Sequence, residues 1–308
     1  MSRNPANLAH SVHQRLLNLA TARGEDPNVV FIQYGLERLL YRIGRSKHRD
    51  HFVLKGAMLF VLWKGQFHRT TRDLDLLGTG DASDETLINT FGEIALTEVE
   101  PDGLTFEHQE ISISEIREVQ EYPGKRLKFP VRLGNTRLTL QIDIGFGDVV
   151  TPNPKEVKYP TLLDLPAPSI RAYPIETVVA EKLQAMVALD MVTSRMKDFY
   201  DLWALSRSFA FAGPTLARAI KATFTRRDTA IPPVAPGPLT QAFAEEPGKA
   251  TQWRAFLKRN RFDQPGQPLS QIIEDLREFL LEPLHVAATD RDLSKTWKPG
   301  GPWTPDRA

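Results

Sequence analysis

The chain contains no cysteine among its 308 residues, which excludes thiolate zinc sites, cysteine nucleophiles and a disulfide framework. It also has no excess of charge of either sign, since 39 basic and 38 acidic residues leave a formal net charge of +1. Any contact with a nucleic acid must therefore come from a local basic patch. No apolar run reaches the length of a membrane span, and the first twenty residues lack the apolar core of a secretory signal. We therefore expect a cytoplasmic protein that has no membrane partner.

The patterns that are present predict an α+β protein of two domains. With 41% hydrophobic residues, the chain can build a sizeable core. Apolar periodicity predicts two N-terminal helices between about residues 8 and 45, followed by strands, within a first domain over 1–150. A proline-rich stretch over 151–172 predicts a linker. Helical patterns over 173–289 predict a second domain, and the composition of 290–308 favours a disordered tail.

Three carboxylates lie on the polar faces of predicted strands. In "RDLDLLG" the residues alternate, so Asp73 and Asp75 share one face. In "RLTLQIDIGFG" the apolar residues share one face and Asp143 lies on the other. This second strand forms a predicted hairpin with "RLKFPVRL" across a turn at Gly134-Asn135.

Three interpretations of the aspartates compete. The first is a solvated strand edge, although the recurrence of a carboxylate at Asp143 weakens it. The second is a calcium loop beginning at Asp73, but Leu77 stands where an oxygen ligand is needed and Asp84 where a bidentate glutamate is usual. The third is metal-assisted phosphoryl transfer, in which Asp73, Asp75 and Asp143 ligate Mg²⁺.

The residues before the aspartates favour the third interpretation. Gly56 ends a short predicted strand, "HFVLKG", and precedes a predicted helix that stops at Gly65. A glycine there leaves room for a triphosphate to approach the N-terminus of the helix. The order glycine, helix, Asp-x-Asp strand and later aspartate strand is typical of a polymerase-β-like nucleotidyltransferase domain.

A second cluster of charges lies in "EKLQAMVALDMVTSRMKDFYDLWAL". Lys197 and Asp201 have the i,i+4 spacing of an ordinary ion pair on a helix surface. That pair does not explain Lys182, which borders an apolar face, nor the placement of Asp198 beside aromatic residues. The alternative is that Lys182 and Arg195 are cations for an anionic ligand.

Taken together, these motifs resemble the AbiEii/AbiGii-type nucleotidyltransferase toxins, which include the MenT enzymes, over about residues 50 to 205. The first family motif corresponds to Gly56-Ala57 followed by Asp73 and Asp75, and "LQIDIGFGD" corresponds to the intervening acidic strand. The second motif, Lys-Leu and then Lys-Asp-x-x-Asp, corresponds to Lys182 and the residues from Arg195 to Asp201. Ala57 departs from the usual glycine or serine, so a hydroxyl contact to phosphate is missing, although its backbone N–H remains a donor.

The resemblance implies an Mg²⁺-dependent enzyme, with Mn²⁺ as an alternative ion, that transfers a nucleoside monophosphate from an NTP to an acceptor RNA such as the 3′ end of tRNA. It implies a toxin that works beside a cognate antitoxin, often in phage defence. A non-catalytic nucleotide- or antitoxin-binding module and a metal-dependent nuclease remain as alternatives. The implied catalytic residues are Asp73, Asp75, Asp143 and Lys182. The three aspartates are also the implied metal ligands, with Asp143 as ligand or base. The implied nucleotide-binding residues are Gly56, Ala57, Lys182, Arg195 and Lys197, and Asp198 and Asp201 orient the cations. Five basic residues are either contacts to the RNA backbone or members of a solvated basic face: Arg226, Arg227, Lys258, Arg259 and Arg261. His68 is a candidate neighbour of the metal ligands.

Overall fold

The computed structural model describes residues 5–65, 71–116, 124–260, 266–289 and 291–306. The chain divides into two compact units. Unit 1 comprises residues 1–148 and 154–173, and unit 2 comprises residues 149–153 and 174–308. Within the described ranges, no helix combines the length and the apolar character that a membrane crossing requires.

Unit 1 contains one mixed sheet with helices against it. Its helices are α1 (Pro5–Arg23), α2 (Pro27–Arg45), α3 (Leu59–Lys64) and α4 (Asp84–Ala95). Its strands are β1 (Phe52–Lys55), β2 (Asp73–Gly78), β3 (Leu104–Phe106), β4 (Ser112–Ile116), β5 (Gly124–Leu133), β6 (Thr136–Phe146), β7 (Lys155–Lys158) and β8 (Ser169–Ala172). The order across the sheet is β3-β5-β6-β2-β1-β8-β7, and β4 also pairs with β5. The β2–β6 and β1–β8 pairs are parallel, and the other pairs are antiparallel.

The sheet buries one face because its central strands alternate. Leu74 and Leu76 of β2 and Ile142 and Ile144 of β6 are fully buried, so the intervening polar residues point to the opposite face. Helix α2 is buried along most of its length, and its Gly35 approaches Leu140 of β6 closely. The apolar face of β2 and β6 is thus part of the core of unit 1.

The predicted linker is wrong as a separate segment. Strands β7 and β8 lie within it, and they extend the sheet beyond β1. Val53 and Leu54 of β1 pair in parallel with Arg171 and Ala172 of β8. The prolines of this stretch interrupt the chain between short strands, and the stretch from Pro154 to Tyr173 belongs to unit 1.

Unit 2 is mainly helical, as predicted. It comprises α5 (Ile175–Leu189), α6 (Met196–Ser208), α7 (Gly213–Arg226), α8 (Gln241–Glu245), α9 (Pro247–Asn260) and α10 (Leu269–Ala287), with strands β9 (Phe211–Ala212), β10 (Lys295–Trp297) and β11 (Trp303–Pro305). The three strands form a small sheet in the order β11-β10-β9. The α+β class with a helical C-terminal region is therefore confirmed.

The predicted disordered tail is also wrong, because β10 and β11 lie in it. Trp297 is buried, its indole Nε1–H donates to the carbonyl of Ser206 at 2.7 Å, and its ring lies 5.0 Å from that of Phe279. Trp303 donates to the carbonyl of Phe279 at 3.0 Å. Buried aromatic rings contribute large apolar areas, so a segment with few aliphatic residues still packs on the core of unit 2.

Candidate functional site

Four polar side chains form a row across the central strands of unit 1. In the strand register, Lys55 of β1 is opposite Asp75 of β2, Asp75 is opposite Asp143 of β6, and Asp143 is opposite Arg126 of β5. Residues that are opposite each other in neighbouring strands point to the same face of a sheet. Asp73 lies two residues before Asp75 and shares that face. The sheet therefore places three carboxylates together, with Lys55 on one side of them and Arg126 on the other.

The three carboxylates are close enough to bind one ion. One carboxylate oxygen from each of Asp73, Asp75 and Asp143 lies within 4.8 Å of the others, and all three residues are half-buried. Opposite ligands of an octahedral Mg²⁺ are separated by about 4.2 Å, and the ion prefers oxygen ligands. The three aspartates therefore fit a divalent cation after a small contraction. This arrangement corresponds to the metal ligands expected from the sequence.

Hydrogen bonds hold two of the carboxylates in place. The Thr71 hydroxyl donates to Oδ1 of Asp73 at 2.5 Å. The guanidinium of Arg126 donates to both oxygens of Asp143, from Nε to Oδ1 at 2.8 Å and from Nη2 to Oδ2 at 2.7 Å. The hydrogen bond to Asp143, together with the charges of the three aspartates, raises the pKa of Arg126 above its ordinary value. Arg126 therefore offsets part of the repulsion among the carboxylates.

Gly56 makes room for the carboxylate of Asp75, whereas we expected it to make room for a triphosphate. Its φ is +74°, and an added Cβ would lie 1.9 Å from Oδ2 of Asp75. The space that a side chain would fill is thus taken by the carboxylate of Asp75. Gly56 and Ala57 begin a 3-10 turn, after which α3 has only six residues. The expected anion site at the N-terminus of a regular helix is therefore not what the local backbone provides.

The second charge cluster belongs to unit 2. Nζ of Lys182, on α5, lies 2.6 Å from Oδ1 of Asp198 and 2.8 Å from Oδ2 of Asp201, both on α6. Nε of Arg195 donates to Oδ2 of Asp198 at 2.6 Å. Both aspartates are fully buried. Burial raises the pKa of Asp198, but the charges of Lys182 and Arg195 lower it more, so that the pKa lies below its ordinary value. Lys197 is exposed.

The remaining candidates are more dispersed. Arg227 donates to Oε1 of Gln184 at 2.9 Å and lies 3.5 Å from Glu181, so it holds α7 against α5. Lys258 and Arg259 are exposed in the last turn of α9, and Arg226 is exposed at the end of α7. His68 and Arg261 lie outside the described residues. Sequence reasoning missed Arg126, although the register of the predicted hairpin contains the signal for it.

Comparison with known proteins adds one informative match. A family model described as "Nucleotidyl transferase AbiEii toxin, Type IV TA system" matches residues 38–280, a range that contains both charge clusters. No curated protein matches the chain. Two solved structures from Helicobacter pylori are also similar to the chain, JHP933 and a candidate nucleotidyltransferase. Each is 16% identical to this chain, covers 82% of it and has a TM-score of 0.45. The matched parts are 88% and 90% of those two chains, respectively. At this level of similarity, the two structures support no conclusion about this chain.

Proposed function

The chain belongs to the AbiEii family of nucleotidyltransferase toxins of type IV toxin–antitoxin systems, and on that basis we propose that it moves a nucleoside monophosphate from an NTP to an RNA acceptor such as the 3′ end of tRNA. The hydroxyl oxygen of the acceptor attacks the α-phosphorus, the bond to the β-phosphate breaks, and pyrophosphate leaves. The observation that supports this proposal is the convergence of three carboxylates, within 4.8 Å, on one face of the central sheet.

We assign Asp73, Asp75 and Asp143 as ligands of Mg²⁺, with Mn²⁺ as the alternative ion. A divalent cation supplies positive charge for the triphosphate and for the charge that develops on the leaving group. For Asp143 we favour the ligand role over the base role, because one of its oxygens lies within 4.8 Å of oxygens of both Asp73 and Asp75.

We propose Lys182, Arg195 and Lys197 as the cations that bind the anionic substrate. An ammonium that is held by two carboxylates has a fixed position, and charge-assisted bonds of this kind are among the stronger contacts in proteins. Asp198 and Asp201 are then positioning residues for Lys182. Gly56 and Ala57 remain proposed nucleotide contacts through their backbone, and a cognate antitoxin remains the proposed protein partner.

The test is a labelling experiment with matched variants. Purified wild type, Asp73→Asn and Asp164→Asn are each incubated with Mg²⁺, total tRNA and one α-labelled NTP at a time. Asp164 is exposed in the same unit, so its variant makes the same charge change away from the carboxylates. We expect label on RNA with wild type and Asp164→Asn but not with Asp73→Asn, and the NTP that is used identifies the nucleotide.

Two other outcomes would overturn the proposal. In a parallel incubation without any NTP, RNA shortened by wild type but not by Asp73→Asn would show that the carboxylates serve a nuclease. Intact RNA without label from any of the four NTPs would favour a binding module or an acceptor of another kind.

A further inference from the structure

The guanidinium of Arg126 lies beside the carboxylate that the metal site needs as its third ligand. We propose that Arg126 is a positioning residue that holds Asp143 in the orientation in which it binds the divalent cation. This inference rests on the proposed function, because it takes the three aspartates as metal ligands. It assigns to Arg126 a role that the sequence motifs did not include.

The geometry of the pair is that of an orienting contact. Arg126 and Asp143 are direct cross-strand partners in β5 and β6. Two parallel hydrogen bonds, of 2.8 and 2.7 Å, fix the plane of the carboxylate, and Nε2 of Gln141 adds a third donor at 3.3 Å from Oδ2. A carboxylate oxygen has two lone pairs, so an oxygen that accepts one hydrogen bond can still bind a cation. Partners of this kind around metal ligands commonly change metal affinity by about 10- to 100-fold.

The hairpin itself does not depend on this ion pair. Strands β5 and β6 pair over ten positions, from Gly124–Gly145 to Leu133–Thr136. The middle of their opposite face is buried, with Leu127 and Phe129 fully buried. The Arg126–Asp143 pair lies on the other face, where the arginine side chain is 38% exposed and the aspartate side chain 14% exposed. A stabilising role for the strand pairing is therefore a minor one.

Lysine at position 126 separates orientation from charge. Arg126→Lys keeps one positive charge beside the carboxylates but removes the planar fork that makes two parallel bonds. The matched control is Arg132→Lys on the same strand and the same face, where the guanidinium pairs with Glu107 instead. Binding of Mn²⁺ alone, followed by electron paramagnetic resonance of the free ion, measures the site without any turnover.

We expect Arg126→Lys to weaken Mn²⁺ binding by about tenfold and Arg132→Lys to leave it unchanged, with both variants keeping the wild-type circular dichroism. In an Asp143→Asn background, Arg126→Lys should have no further effect, because Arg126 acts through Asp143. Unchanged or tighter Mn²⁺ binding by Arg126→Lys, with normal weakening by Asp73→Asn, would overturn this inference alone. Mn²⁺ binding that Asp73→Asn does not weaken would overturn the metal site, and this inference with it.

The wild-type chain offers a measurement that needs no foldable variant. If Arg126 orients the ligand, its Nε–H resonance should keep its hydrogen-bonded chemical shift when Mg²⁺ is added. Loss of that shift on addition of Mg²⁺ would mean that the cation displaces the guanidinium, which contradicts a positioning role.

Discussion

Replacing Gly56 with alanine should disable the proposed metal site, while the same change at Gly65 should not. Both glycines have a φ of +74°, so both alanine variants place a side chain in the left-handed region at a cost of about 1–2 kcal/mol. Among the residues that the structure describes, none lies within 4 Å of an added Cβ at Gly65, whereas at Gly56 the Cβ lies 1.9 Å from Oδ2 of Asp75. The two variants therefore share the backbone strain and differ in the collision with Asp75.

The size of the collision sets the expected effect. Ordinary contacts of a Cβ begin at 3.4 Å, and the new Cβ would lie 1.9 Å from Oδ2 of Asp75, so this oxygen must move away by about 1.5 Å. The Cγ and Cβ atoms of Asp75 are also too close to the new Cβ, at 2.5 and 2.6 Å. A misplacement of about 1 Å in a reacting site typically costs about 100-fold in rate. The neighbouring strand limits other adjustments, because Lys55, directly before Gly56, pairs with Asp75 in the β1–β2 ladder.

We expect Gly56→Ala to lose about 100-fold or more in nucleotidyl transfer and to bind Mn²⁺ more weakly than wild type. Gly65→Ala should keep its activity within a few-fold and lower the melting temperature by about 2–4 °C for each kcal/mol of strain. The assay is the α-labelled NTP experiment at equal folded concentration, with melting followed by circular dichroism. Equal activity in the two variants would refute the conclusion that Gly56 is required by the approach of Asp75.

Two further predictions concern stability. Burial raises the pKa of Glu37 from 4.5 to about 7, so the folded state binds the Glu37 proton more tightly than the unfolded chain does. The free energy of unfolding should therefore fall by about 3 kcal/mol as the pH rises from 4 to 8. In urea denaturation, the free energy of unfolding of Glu37→Gln should not show this fall. The same pH dependence in the variant and in wild type would contradict the raised pKa of Glu37. Trp297→Ala should destabilise unit 2 by about 3–5 kcal/mol, while Lys298→Ala, at an exposed position, should have little effect. Equal melting curves for the two variants would mean that the C-terminal strands are not part of the core.

The elements that sequence patterns predicted correctly have long or strongly alternating signals. Helices α5 to α7, α9 and α10 carry several turns of apolar periodicity. Strand β2 alternates over 73–76 and strand β6 over 137–144, so the faces of Asp73, Asp75 and Asp143 followed from period two alone. That the three carboxylates meet also required β2 to pair with β6 in parallel, which no local pattern specifies.

The errors have the opposite character. Strands β7 and β8 have four residues each and lie between prolines. An alternation as short as that of β8 is a weak signal, and pairing with both β1 and β7 defines β8 as a strand. Residues 295–305 contain few apolar residues, and their order depends on two tryptophans that pack on Phe279. Composition averages over a segment, so it does not show the large apolar area that two packed indole rings contribute.

Arg126 is a different case, because its position could have been worked out from the sequence. The hairpin turn contains two residues, Gly134 and Asn135, so Leu133 is opposite Thr136. Seven residues back from Leu133 is Arg126, and seven residues forward from Thr136 is Asp143. In an antiparallel pair the turn fixes the register of every later pair. Three clustered carboxylates need a compensating charge, and the register of the predicted hairpin already shows which residue supplies it.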